Sequence, residues 1–235
     1  MPNIIEQLYL DKTYLQDNPT WDSEDAPWKA KQIKKILDHT SITPKSICDI
    51  GCGSGAILFE LNKYYPEAEL QGYDISPDLD MFWEKYKKIG INFDVGDVLS
   101  IEKEKFDVVL VVDVLEHLAD PFSFLESLKG KANKYVFHIP LDLSALSVVR
   151  EKPLLYVREK VGHIHYYTKS IALSLLIEAG YKINYWNYTQ AYRTAPLNSI
   201  KTKLAVFPRL VLQTINRDLA ARVLGGETIM VVATV

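Results

Sequence analysis

From Ser46 onward the chain alternates between short runs of β-branched and aromatic residues and longer stretches in which apolar positions recur every three to four residues. The first kind suits buried strands and the second amphipathic helices. The pattern predicts strands at 46–50, 69–73, 91–95, 106–112 and 134–139, with helices between them at about 55–65, 78–89 and 119–129. Pro77 and Pro121 fall near helix starts, and Gly90 and Gly130 near helix ends, where each residue's backbone preference helps. Thr168 is placed to cap a later helix ending at Gly180; a sixth strand reads from Tyr181 to Tyr188 and a last one from Glu227 to Val235. Strands alternating with helices build βαβ units, hence an α/β fold around a mostly parallel sheet with helices on both faces.

The flanking segments break this rhythm. The first 45 residues carry Tyr9, Tyr14, Trp21 and Trp28, then a helical pattern opening near Pro27 with Ala30, Ile33, Ile36 and Leu37 on one face. This segment reads either as a cap over a site or as a helix covering one side of the sheet. After Pro140 the pattern is irregular for almost thirty residues, with 144–149 helical, and an irregular stretch of that length is usually functional. The organisation expected is one domain over 1–235: an N-terminal helical cap (1–45), a core (46–139), inserts at 140–168 and 190–226, and the last strand at 227–235.

Right-handed crossovers put every loop at the carboxyl end of a parallel strand on one rim. Asp49, Asp74, Asp97 and Asp113 each close a predicted strand, so they converge there. Asp49 stands two residues before the turn Gly51-Cys52-Gly53-Ser54-Gly55, where glycine lets backbone approach a ligand closely. A carboxylate in that place suits a cationic nucleotide-like ligand better than a pyrophosphate. Asp74, nineteen positions after Gly55, is placed to accept from both hydroxyls of a ribose.

These residues resemble the class I S-adenosylmethionine-dependent methyltransferases, whose motif D/E-x-G-x-G-x-G is matched by Asp49, Gly51, Gly53 and Gly55. The likeness continues through Gly96-Asp97-Val98, the Phe106–Asp113 segment and Leu115-Glu116-His117-Leu118, over about residues 45 to 190. It implies a Rossmann-like seven-stranded sheet whose last strand enters antiparallel between strands five and six. It further implies that S-adenosyl-L-methionine is the cofactor and S-adenosyl-L-homocysteine the product. By the same resemblance Gly51, Cys52 and Gly53 meet the methionine portion, with Asp49 near its ammonium group and Gly55 completing the turn. Asp74 holds the ribose, Ile75 packs on the adenine, Asp97 accepts from its amine and Val98 meets a ring nitrogen through backbone. Asp113 and Val114 close the floor.

Relatives carry a G-H-x-x-x-F/Y segment comparable to Gly162-His163-Ile164-His165-Tyr166-Tyr167. Alternate residues of an extended piece face one side, so His163 and His165 are candidates for a catalytic base; a histidine bonded to backbone beside a core tyrosine is the competing reading. His138 is a weaker candidate. His117 reads first as loop support. A segment similar to Asp113, Glu116 and His117 is associated with a divalent cation in ubiquinone-pathway O-methyltransferases, although an acidic helix start accounts for the same residues.

Composition narrows the acceptor. Net charge is −3, which makes no case for a nucleic-acid partner. Arg193, Lys201, Lys203, Arg209, Arg217 and Arg222 stand against Asp218 alone, so the 190–226 insert is locally basic; it reads first as a solvated helix face, with a patch for an anionic acceptor or a membrane surface as the alternative. Cys48 and Cys52 form neither a disulfide framework nor a zinc pattern, and no apolar run of eighteen residues or secretion signal is seen, which fits a cytoplasmic protein. Asp113-Val114-Leu115-Glu116 stands where amino-group methyltransferases of adenine or glutamine carry N/D-P-P-Y/F, which disfavours that chemistry; a small molecule methylated at oxygen is expected first, with nitrogen or carbon as the lesser alternatives. Two rivals remain: a non-catalytic binder of adenosylmethionine, and a nicotinamide oxidoreductase, since 51–56 also fits G-x-G-x-x-A. Asp49 weighs against the latter.

Overall fold

The computed structural model describes residues 7, 9–21, 23–96, 105–189 and 212–235. Its centre is a sheet of seven strands, β1 (Ser46–Ile50), β2 (Glu69–Asp74), β3 (Asn92–Val95), β4 (Phe106–Val112), β5 (Ala132–Leu141), β6 (Lys182–Tyr188) and β7 (Glu227–Thr234), in the order β3-β2-β1-β4-β5-β7-β6. β1 to β5 run parallel, and β7 enters antiparallel between β5 and β6.

Strands apolar on both faces stay inside only if both faces are covered. Ile47, Val108, Leu110, Val112, Val136, Met230 and Val232 pack in one core, and Cys48, Ile50, Val109, Val111, Phe137, Ile229 and Val231 in the other. Successive residues thus alternate between cores, as pleating requires. The helices Ala26–His39, Ala56–Asn62 and Asp80–Lys87 bury Ile33, Leu61 and Trp83 in the first core, and Pro121–Leu128 and Lys169–Glu178 bury Leu125 and Leu176 in the second. Thr168 caps the last of these through its hydroxyl oxygen, which accepts from Ile171 N.

The elements differ from the sequence expectation mainly at their ends. β5 extends two residues beyond each predicted boundary, because β4 pairs with its start at Phe106↔Ala132 and β7 with its end as far as Leu141↔Glu227. Pro140 is tolerated inside it, since β4 pairs only as far as His138 and leaves that flank without a ladder to supply. The irregular stretch that follows holds the helices Ala145–Arg150, opened by a Ser144/Ser147 capping box, and Lys152–Tyr156, then a π-helical turn at Val157–Val161. Of the 190–226 insert, 190–211 lie outside the described residues; Arg217–Leu224 is helical and capped by Asn216.

Register brings the rim together. Asp49 lies opposite Gly72 on β2 and Leu110 on β4, so the loops leaving β1, β2 and β4 open side by side where the chain order switches direction. Gly72 is a packing requirement of this arrangement, because a Cβ there would lie 2.6 Å from the Phe93 ring and 2.8 Å from Cys52 Sγ. Gly72→Ala is expected to cost about 1–3 kcal/mol of stability through overpacking, measured by urea denaturation; an unchanged midpoint would mean that the layer under the β1 turn is loosely packed.

Candidate functional site

The turn after β1 is held from below. Gly51 N and Cys52 N both donate to the Tyr73 carbonyl, at 2.8 and 3.1 Å. Gly51 has φ +72° and its missing side chain leaves room for Val114, whose Cγ2 would otherwise lie 2.6 Å away. Trp83, fully buried and stacked on Phe93, donates its indole N–H to the Gly53 carbonyl at 2.9 Å. Sequence reasoning missed this clamp, since a tryptophan on an amphipathic helix reads as core.

Three acids surround the turn in different states. Asp74 Oδ2 accepts from Gly53 N and Oδ1 from Ser76 N, each at 3.0 Å, so each oxygen keeps lone-pair capacity for a further donor. Burial raises its pKa, and those two N–H groups oppose the rise. Asp49 is 1% exposed, and neither of its oxygens has a hydrogen-bond partner among the described residues. Burial, then the nearby Asp74 charge, pushes its pKa up to about 8 despite the attraction of Lys29. Asp113 would also be raised by burial, but His138 and Lys29 outweigh that and hold it well below the usual carboxylate range. Lys29 Nζ lies 2.9 Å from Asp113 Oδ2, and His138 Nδ1 donates to Oδ1 at 2.6 Å. His138 Nε2 lies 3.1 Å from the hydroxyls of Thr189 and Thr228. Asp113 adopts φ +53°, a left-handed conformation uncommon for a residue with a side chain.

A cavity of about 440 Å³ opens over this rim, within the range of about 300–1,000 Å³ typical of small-molecule sites. Its walls include Gly51, Cys52, Gly53, Asp74, Ile75, Asp113 and Val114 from the expected set; Asp49 and Gly55 are not on the wall, and Asp97 and Val98 lie outside the described residues. The N-terminal segment contributes Tyr9, Tyr14, Trp21, Trp28 and Lys29. Tyr14 and Trp21 rings lie 4.7 Å apart, and Trp21 is within 3.5 Å of the Cβ position of Gly53, so this aromatic cluster closes directly over the glycine turn. Lys29 was not foreseen, because a lysine early in a helix reads as a solvated residue; its side chain is only 15% exposed.

At one end of the cavity stand Glu116, His117 and His163. Ile164 N and His165 N donate to the Glu116 carbonyl at 2.8 and 3.1 Å, which pins the 162–165 segment onto the turn after β4. His163 Nδ1 donates to Asp142 Oδ2 at 2.6 Å, leaving Nε2 with a lone pair. His117 Nδ1 lies 3.2 Å from the Gly162 carbonyl, which can only accept, and 3.0 Å from the Tyr9 hydroxyl. Burial, then the neighbouring His163, lowers the His117 pKa to about 4. Glu116 is fully buried, and burial, then Asp113, raises its pKa well above normal. His165 is not on the wall; its Nε2 donates to the Leu118 carbonyl at 2.9 Å.

Residues 48–133 match a family described as a methyltransferase domain. The tRNA U34 carboxymethyltransferase of Campylobacter concisus is 29% identical over 115 residues, which are 46% of this chain and 39% of that protein. Norajmaline N-methyltransferase of Rauvolfia serpentina is 30% identical over 107 residues, 43% of this chain and 36% of the relative. The chain thus spans well under two thirds of these relatives. In fold it superimposes on the plantazolicin methyltransferase BpumL, solved with a substrate analog and SAH, with a TM-score of 0.66 at 21% identity, covering 98% of this chain and 93% of the other.

The state of Asp49 is open to direct measurement. A folded-state pKa of about 8 against an ordinary 3.8 means that between those values the unfolded chain has ionised while the folded one keeps its proton. Stability is therefore lost as pH rises through that window and is fully present below about pH 4. Asp49→Asn is expected to stabilise the ligand-free protein at pH 7 by on the order of 1–3 kcal/mol, with the gain vanishing below about pH 4. Thermal melts at the two pH values check this, and equal melting of both proteins at pH 7 would show that Asp49 ionises in the folded protein without cost.

Proposed function

We propose that the chain is a class I S-adenosylmethionine-dependent methyltransferase, which binds S-adenosylmethionine and passes the methyl group to a small-molecule acceptor, at oxygen. The observation that carries this reading is Asp49: buried just behind the glycine turn that forms the cavity wall, and beside two more acids, this carboxylate has no hydrogen-bond partner among the described residues, a need that a positively charged ligand in the cavity would meet.

The residues fit that ligand part by part. Asp49 answers the ammonium group, and backbone at Gly51, Cys52 and Gly53 lies along the methionine portion. Lys29 stands where the ligand's carboxylate can draw it from Asp113. Asp74 offers one further acceptor site on each oxygen, which matches two vicinal ribose hydroxyls. Ile75, 39% exposed on the wall, presents an apolar face for the adenine, with Asp97 and Val98 assigned to its polar edge.

When bound, S-adenosylmethionine supplies a methyl group on a cationic sulfur and leaves as neutral S-adenosylhomocysteine. The chain's own part is alignment and proton removal. The acceptor lies at the histidine end of the cavity; as its oxygen lone pair forms the bond to the methyl carbon, its proton passes to Nε2 of His163, which Asp142 orients. His165, bonded to the Leu118 carbonyl, supports the segment that carries His163.

An RNA acceptor is the second reading, drawn from the tRNA-modifying relatives. The net charge of −3 and the placement of the histidines inside a cavity favour the small molecule. Incubation with methyl-labelled cofactor and either a metabolite extract or total RNA separates the two by the fraction that gains label.

Two variants test the assignments. Asp74→Ala should weaken cofactor binding by about 1–3 kcal/mol in titration calorimetry, and unchanged affinity in the folded variant removes Asp74 from the ribose. His163→Gln should slow methyl transfer by about 10²–10⁴-fold with cofactor affinity nearly intact; a parent-like rate excludes His163 from proton removal.

A further inference from the structure

Glu116, His117 and His163 each present one ligand atom at the same corner of the cavity, and these atoms all lie within 4.8 Å of one another. Nε2 of His117 and Nε2 of His163 stand 3.9 and 4.0 Å from Glu116 Oε1. We propose that this corner binds one divalent first-row transition cation, zinc by preference, through two imidazoles and a carboxylate, with an open coordination position facing the acceptor.

Four observations support the site. Glu116 is fully buried on the cavity wall, and neither of its oxygens has a hydrogen-bond partner among the described residues, the two imidazole nitrogens beside it lying beyond hydrogen-bond reach at 3.9 and 4.0 Å. Both histidines are fixed through the ring nitrogen that points away: His163 Nδ1 donates to Asp142, and His117 Nδ1 faces the Gly162 carbonyl. Outer contacts of this kind set the tautomer and aim the other nitrogen's lone pair at a metal. Reach is adequate, since an ion shared by three atoms no more than 4.8 Å apart can sit within about 2.8 Å of each. Side-chain shifts of under about 1 Å then give bonds of about 2.0–2.2 Å. The donor set itself, two nitrogens and one oxygen with an open face, is that of catalytic zinc and related borderline cations rather than of magnesium or calcium.

The ligand set differs from the Asp113, Glu116 and His117 grouping visible in the sequence. Asp113 is committed to Lys29 and His138, at 2.9 and 2.6 Å, and its place is taken by His163 from a segment 46 residues beyond His117. The inference rests on the methyl-transfer reading only for the position of the acceptor, and it changes the part played by His163. With a cation bound, His163 is a ligand, and an acceptor oxygen on the open position loses its proton to solvent at a lower pH before its lone pair attacks the methyl carbon.

The test uses the full chain, stripped with a chelator and titrated with Co²⁺ in the absence of cofactor. Visible absorption follows binding, and Zn²⁺ competes the signal away. One ion per chain is expected. His163→Gln and Glu116→Gln should each weaken binding at least tenfold, Asp142→Asn about 10–100-fold, and His165→Gln not at all. Because Glu116 is buried and its variant is the more prone to misfold, the two cavity-side variants His163→Gln and Asp142→Asn keep the test decisive. Absence of stoichiometric binding in the folded parent, or parent-like affinity in His163→Gln, overturns the site. Cofactor affinity is measured separately with chelator present: binding there without cobalt binding sinks the cation alone, and cobalt binding without cofactor affinity sinks the methyl-transfer reading alone.

Discussion

Burial of negative charge at the sheet's switch point is the constraint from which the rest of this structure follows. Asp49, Asp74 and Asp113 end up close together because three parallel strands terminate side by side, and each resolves the cost of burial differently. Asp74 takes two backbone N–H donors, Asp113 takes a lysine and a histidine, and Asp49 is left with neither. Among the described residues, protein groups answer two of these acids and leave the third, which is the need that the proposed cationic ligand would meet.

The same constraint accounts for the N-terminal segment. The Ala26–His39 helix buries Ile33, Ile36 and Leu37 against the sheet, and in doing so carries Lys29 over the ends of β1 and β4. Apolar burial provides the anchoring, and the lysine brings a positive charge to a site that has a deficit of it. Lys29 shares a face with Ile33 and Ile36, at i, i+4 and i+7, so the helix covers the sheet along its length and brings the lysine over the strand ends at its first turn, next to the aromatic residues that line the cavity.

Legibility in the sequence follows the range of the interactions involved. Strands β1, β2 and β4, the glycine turn and the acid at each strand end are local features written in a few residues each, and β1 and β4 occupy the predicted positions. Strand β5 runs longer than expected because its start depends on β4 and its end on β7, about ninety residues away, which periodicity within β5 does not encode. The clamp from Trp83 to Gly53 and the ion pair from Lys29 to Asp113 were invisible for the same reason: each joins residues from separate elements, and each residue looks ordinary in its own helix.

The histidine corner makes the point more sharply. His163 and His165 look equivalent in sequence, two positions apart in an extended piece, and alternation assigns both to one face. What separates them is the carbonyl of Glu116, which takes both Ile164 N and His165 N and twists the segment so that the alternation fails. His163 then meets Asp142 and the cavity, while His165 meets the Leu118 carbonyl. The match to the methyltransferase-domain family covers 48–133, which holds the glycine turn and ends before this segment. The contacts between the turn after β4 and the 162–165 loop are tertiary, so no single stretch of sequence encodes them. That division explains how a sequence can declare its reaction class in nine residues at 47–55 and keep its substrate hidden.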